Sequence, residues 1–130
     1  MKRSMVSPTD FPDTYKNGAL TISYDNLMEI SQGGPVVGRL LIDGEIFGNN
    51  LLFGGPFVIE KKRVYIPLFI RKFCVTGFKV CAINLESLSY ELISPMEDVI
   101  FLDYSDNGFL YYYNTLGEAN GKSKSIPLKV

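Results

Sequence analysis

Histidine and tryptophan are both missing from this chain of 130 residues. Without histidine it lacks the commonest general base and the commonest metal ligand, so nucleophilic triads built on imidazole are excluded. Two cysteines, Cys74 and Cys81, are too few for a disulfide framework. They stand seven positions apart in apolar surroundings. On one strand an odd separation sends them to opposite faces, and a pair across a turn stays open. Two reduced, half-buried thiols are the expectation. No window reaches the ~18 continuous apolar residues of a transmembrane helix, so no membrane contact is expected. The basic start Met1-Lys2-Arg3 has no apolar run behind it and does not read as a signal peptide. A cytoplasmic address is the expectation, in keeping with the sparse cysteine.

Cofactor and catalytic motifs are also wanting. The stretch Gly117-Glu118-Ala119-Asn120-Gly121-Lys122-Ser123 has three residues between its first glycine and Gly-Lys-Ser, where a phosphate-binding loop needs four. Pro127 follows closely, so no helix opens there. The two Gly-Gly-Pro segments, at 33–35 and 54–56, are not dinucleotide fingerprints, since proline removes an amide that would face a phosphate. Cys74 has Arg71 and Lys72 near it in sequence, but a half-buried strand residue explains it equally. Glu97 and Asp98 are adjacent and would point to opposite faces of a strand. Glu86 and Glu91 flank a strand end, and no spacing selects an acid/base pair. Asp103, Asp106, Asn107 and Gly108 approach a calcium loop, yet a hairpin turn accounts for the same residues. No catalytic residue, metal or cofactor is expected. A hydrolase built on two carboxylates is the weakest of three readings.

What the chain does contain is a rhythm of short strands. Hydrophobic residues make up 46% and charged residues 21%, a balance that excludes a disordered chain and suits one domain over residues 1–130. Residues 1–18 read as an irregular arm, broken by Pro8, Pro12, Asn17 and Gly18. A strand is expected at 19–24, then a turn at Asp25-Asn26, then at 27–31 a further strand or a single helical turn, with strand favoured because Gly33-Gly34-Pro35 would stop a helix. Asp43-Gly44 between apolar runs signals a tight hairpin. Residues 57–60 and 64–70 flank the turn Lys61-Lys62-Arg63, and Pro67 marks the second run as an edge strand or a bulged one. From 77 to 114 strands recur about every ten residues (77–83, 88–93, 98–104 and 109–114), with Asp106-Asn107-Gly108 as a turn. Residues 115–125 are a polar loop, and 126–130 a last short strand or a frayed tail. The fold class expected is all-β: an antiparallel meander forming a sandwich, a barrel or a strongly twisted sheet, with little or no helix.

Charge is distributed unevenly. The net value is −1, which gives no basic excess for direct contact with nucleic acid. Residues 60–80 carry six basic groups against Glu60, net +5. Residues 81–121 carry seven acids and no base, net −7. The same stretch holds five of the eight tyrosines: Tyr90, Tyr104, Tyr111, Tyr112 and Tyr113. Tyrosine offers large contact area with few rotamers and a polar tip, and in a half-exposed strand alternate residues face water. Acid and phenol on one surface suit a cationic protein partner. The competing reading is a solvated face with its acids paired internally by the basic strip Lys61 to Lys79.

In layout the chain resembles the small bacterial immunity proteins of polymorphic-toxin systems. The resemblance is carried by Val64-Tyr65-Ile66-Pro67, by Gly77-Phe78-Lys79-Val80-Cys81-Ala82-Ile83-Asn84-Leu85, and by Asp98-Val99-Ile100-Phe101-Leu102-Asp103-Tyr104, over roughly residues 36–114. It implies tight binding to a cognate toxin, commonly a basic nuclease domain, with no catalysis and no cofactor. The candidate partner-binding residues are Glu97, Asp98, Asp103, Tyr104, Asp106, Tyr111 and Tyr113. The acids would pair with toxin lysines and arginines, and the tyrosines would fill the dry centre. The alternative is a structural or adaptor subunit that self-associates, as a homodimer for example, through a β edge or the tyrosine-rich face.

Overall fold

The computed structural model describes residues 7–72, 74–115 and 123–128, and every described element is a strand. No helix long and apolar enough to cross a membrane occurs among them. The strands are β1 (Thr14–Asn17), β2 (Leu20–Glu29), β3 (Val36–Ile42), β4 (Glu45–Ile46), β5 (Leu52–Phe53) and β6 (Val58–Glu60). They continue with β7 (Arg63–Lys72), β8 (Val75–Asn84), β9 (Tyr90–Leu92), β10 (Phe101–Asp106), β11 (Phe109–Tyr113) and β12 (Lys124–Pro127). All named pairings are antiparallel. The larger sheet runs β1-β2-β3-β5-β7-β8-β9, with β4 on β3 and β6 on β7, and the smaller runs β10-β11-β12. This is the all-β class expected, as a twisted sheet that is not closed into a barrel: among the described residues the end strands β1 and β9 do not pair with each other.

Alternation in β7 and β8 explains the layering. Val64, Ile66 and Leu68 point to one side with Cys81 and Ile83. Tyr65 points to the other with Phe78 and Val80. Both sides are buried, so these strands read as nearly unbroken apolar runs. On the first side the larger sheet curls over itself, bringing Ile22, Tyr24 and Leu40 onto β7. On the second side the smaller sheet is laid across it, with Ile100, Leu102, Leu110, Tyr112 and Ile126 facing inward. Burial of each such side chain contributes about 1.5–3 kcal/mol relative to exposure.

Turn chemistry places the hairpins as expected. Asp43 and Gly44 have φ of 52° and 86°, and Asn107 and Gly108 have 52° and 81°. Two successive positive values match the right-handed twist of the strands they join.

Several expectations need correction. The arm over residues 1–18 is not irregular throughout, because Thr14–Asn17 pairs with β2 as β1. Residues 1–6 lie outside the described residues. Asp25-Asn26 is not a turn between two strands. It is an irregularity inside the single strand β2, where the register shifts between Asp25 and Met28 and Asn26 takes a φ of 57°. The polar loop at 115–125 ends early, since Lys124 and Ser125 already belong to β12, while 116–122 lie outside the described residues. Pro67 marks neither an edge nor a bulge: β7 keeps continuous register with β8 through Pro67↔Val80. Its carbonyl accepts from Gly54 N at 2.8 Å, so its ring nitrogen faces the gap between β5 and β6, where no donor is needed. Both cysteines are free; Cys74 is exposed and Cys81 buried, rather than both half-buried.

Candidate functional site

The smaller sheet has one face on the core and one face open. Leu102 opposes Tyr112 and Leu110 opposes Ile126, and all four are buried. Their sequence neighbours must therefore point outward. Strict alternation from Leu102 would send Tyr104 inward with it. A β-bulge prevents this: Leu102 pairs with Tyr112 and Tyr104 with Tyr111, leaving Asp103 as the extra residue. The bulge turns Tyr104 to the open face.

Three rows then lie on that side of the sheet, of which the first is covered: Phe101 is buried and Tyr113 half-buried. Phe101 lies beside Tyr113, with ring centroids 6.2 Å apart and edges meeting faces. Tyr104 stacks on Tyr111 at 4.8 Å with rings 21° apart, and Ser125 completes the row. Asp106, Phe109 and Pro127 form the third. Tyr104 is 43% exposed and Phe109 41%, so apolar rings meet water beside an exposed carboxylate at Asp106. The Tyr104 hydroxyl titrates above its ordinary value. Loss of water around it contributes most, followed by Tyr111, Asp103, Asp106 and Tyr113. Those groups thus lie within electrostatic reach of the Tyr104 hydroxyl.

Of the seven residues singled out from sequence, Asp103, Tyr104, Asp106, Tyr111 and Tyr113 are brought together here, with Tyr111 and Tyr113 half-buried. Asp98 is exposed but lies before β10, outside the ladder. Glu97 is a correction. Its backbone bridges β8, with Phe78 N to Glu97 O at 2.7 Å and Glu97 N to Phe78 O at 2.8 Å. Its side chain is only 9% exposed and accepts from Tyr112 Oη at 2.7 Å, Lys124 Nζ at 3.4 Å and Asn114 Nδ2 at 3.5 Å. This carboxylate ties the smaller sheet to the larger one and is neutralised within the chain, so it does not stand on a wet surface. Burial first, and then the bond to Glu97, push the Tyr112 phenol well above its usual range.

The basic strip has an internal partner at Lys62. Lys62 reaches Glu86 at 2.8 Å, both exposed, a contact of small energetic weight. A cleft of about 530 Å³ lies between this β6–β7 turn and the β10–β11 turn, lined by Lys61, Lys62 and Arg63 but also by Glu60, Glu86 and Gly108. No three Cys, Asp or Glu side chains among the described residues gather to hold a metal.

Two features of the face escaped the residue-level reading. Phe109 shares parity with Tyr111 and Tyr113, so alternation alone places it with them. The bulge has no such signature, because Asp103 differs in nothing from a paired strand residue. The chain matches no protein-family model, no curated protein and no solved structure.

Proposed function

We propose that this protein is a non-enzymatic binding module, an immunity protein that neutralises a cationic toxin in the bacterial cytoplasm. The observation that carries the reading is the open face of the β10–β12 sheet. There the stacked Tyr104 and Tyr111, the exposed Phe109 and the carboxylate of Asp106 share one surface. Aromatic side chains concentrate binding energy where water is excluded, and carboxylates around them steer an oppositely charged partner. A second copy docked on this face by two-fold symmetry would bring like carboxylates together, which disfavours self-association there.

The reading is tested with the product of the neighbouring gene, where an immunity protein is expected to have its toxin. Co-expression should rescue growth, and charge reversal by Asp106→Lys, alone or with Asp103→Lys, should weaken binding and flatten its salt dependence. Full rescue with unchanged affinity in both variants would overturn the assignment.

A self-associating subunit is favoured by a different observation. β9 ends the larger sheet, and its Tyr90 and Leu92 are 47% and 41% exposed. The end strand of a sheet beside exposed apolar side chains can pair with another copy. Sedimentation decides: a stable dimer lost on Leu92→Lys supports that reading, and a monomer at all concentrations removes it.

A further inference from the structure

Resting on the binding reading above, we infer that Tyr104 and Asp106 form an arginine-reading site, so that the partner presents a guanidinium rather than an ammonium group. Tyr111 occupies one face of the Tyr104 ring, with centroids 4.8 Å apart. Among the described residues β10 is the outer strand of its sheet, and Tyr104 stays 43% exposed. Asp106 is two residues along the same strand and opposes the outward Phe109. Two residues of strand span about 7 Å. A planar guanidinium stacked on the ring covers that span and directs N–H groups toward the carboxylate, in the paired geometry that carboxylates favour. An ammonium is a compact and strongly hydrated charge, which leaves one of the two contacts unmade.

Lys124, the lysine of the sheet among the described residues, is held away from the site. It opposes the inward Tyr112 and reaches Glu97. The bulge at Asp103 also bears on how a partner approaches. It interrupts the ladder of an outer strand, a device that blunts strand addition. Recognition at this edge therefore falls to side chains, which is where guanidinium and ammonium differ.

Hexa-arginine and hexa-lysine peptides of equal length and charge are the probes. Tyrosine fluorescence follows binding without interference, since the chain has no tryptophan, and two-dimensional NMR locates it. At ~0.15 M salt, where distant charges are screened, hexa-arginine should bind about three- to fivefold more tightly. Tyr104→Phe should keep that margin and Tyr104→Leu should abolish it. Asp106→Asn should weaken both peptides. Equal binding of the two peptides, or a margin that survives Tyr104→Leu, overturns the arginine site and leaves the cationic partner standing. No perturbation of Tyr104 or Tyr111 by either peptide overturns both.

Discussion

Strands β7 and β11 are both apolar and aromatic runs, yet they serve different ends. In β7 one face meets the curled larger sheet and the other meets the smaller sheet. In β11 only Leu110 and Tyr112 are buried, while Phe109, Tyr111 and Tyr113 form the open row. The difference lies in what covers the second face. Where both faces are covered, every side chain contributes to stability. Where one is open, alternation separates the residues that hold the fold from those that meet water, and under the proposed function a single substitution can test either.

That contrast is broken most forcefully in β7. Ile66→Ala removes a fully buried side chain and should cost about 2–5 kcal/mol in urea unfolding. If the loss were within ~0.5 kcal/mol, the two-sided burial of β7 would be wrong.

Alkali probes the same core. Burial pushes the Cys81 thiol from 9.0 up to about 12. Between those values the unfolded chain releases a proton that the native chain keeps, so stability falls as pH rises through this window. The full effect is about 4 kcal/mol, at 1.36 kcal/mol per pH unit. Above pH 10.0, Tyr112, also raised by burial, adds to the decline. Cys81→Ala should flatten the first part of the profile in denaturation scans, and an unchanged slope would contradict the buried placement.

A smaller effect is expected between the sheets. Tyr112→Phe removes the hydroxyl that donates to Glu97 at 2.7 Å and should cost about 1.5–3 kcal/mol, the range for a bond to a charged group. Partner affinity should stay within about twofold, because Tyr112 faces inward. Smallest in stability is Tyr104→Leu on the open face, at roughly 0.5–1.5 kcal/mol for the lost ring pair. There the affinity should fall by more than about tenfold, as for an aromatic hot spot. Together these two variants sharpen the comparison: one chiefly loosens the fold, the other chiefly weakens binding.

Much of this arrangement can be read from local chemistry. Asp43-Gly44 and Asn107-Gly108 mark their hairpins because only turns with two positive φ values suit them. The parity of Tyr111 and Tyr113 against Leu110 and Tyr112 assigns the faces of β11. What escapes is set by distant partners. Pro67 looks like an edge residue until the gap between β5 and β6 is known. Glu97 looks like a surface acid until Tyr112 and Lys124, 15 and 27 positions away, close around it. Tyr104 reaches the open face only through the slip at Asp103, which follows from the register of two strands and from no property of the residue itself.

The most direct measurement is a map of amide and tyrosine-ring chemical shifts while the neighbouring gene product is titrated onto the protein. Changes concentrated at Tyr104, Asp106, Phe109 and Tyr111, with Tyr90 and Leu92 unmoved, are the expected result. A footprint on β9 that leaves Tyr104 and Tyr111 unchanged would contradict the assignment of the binding face.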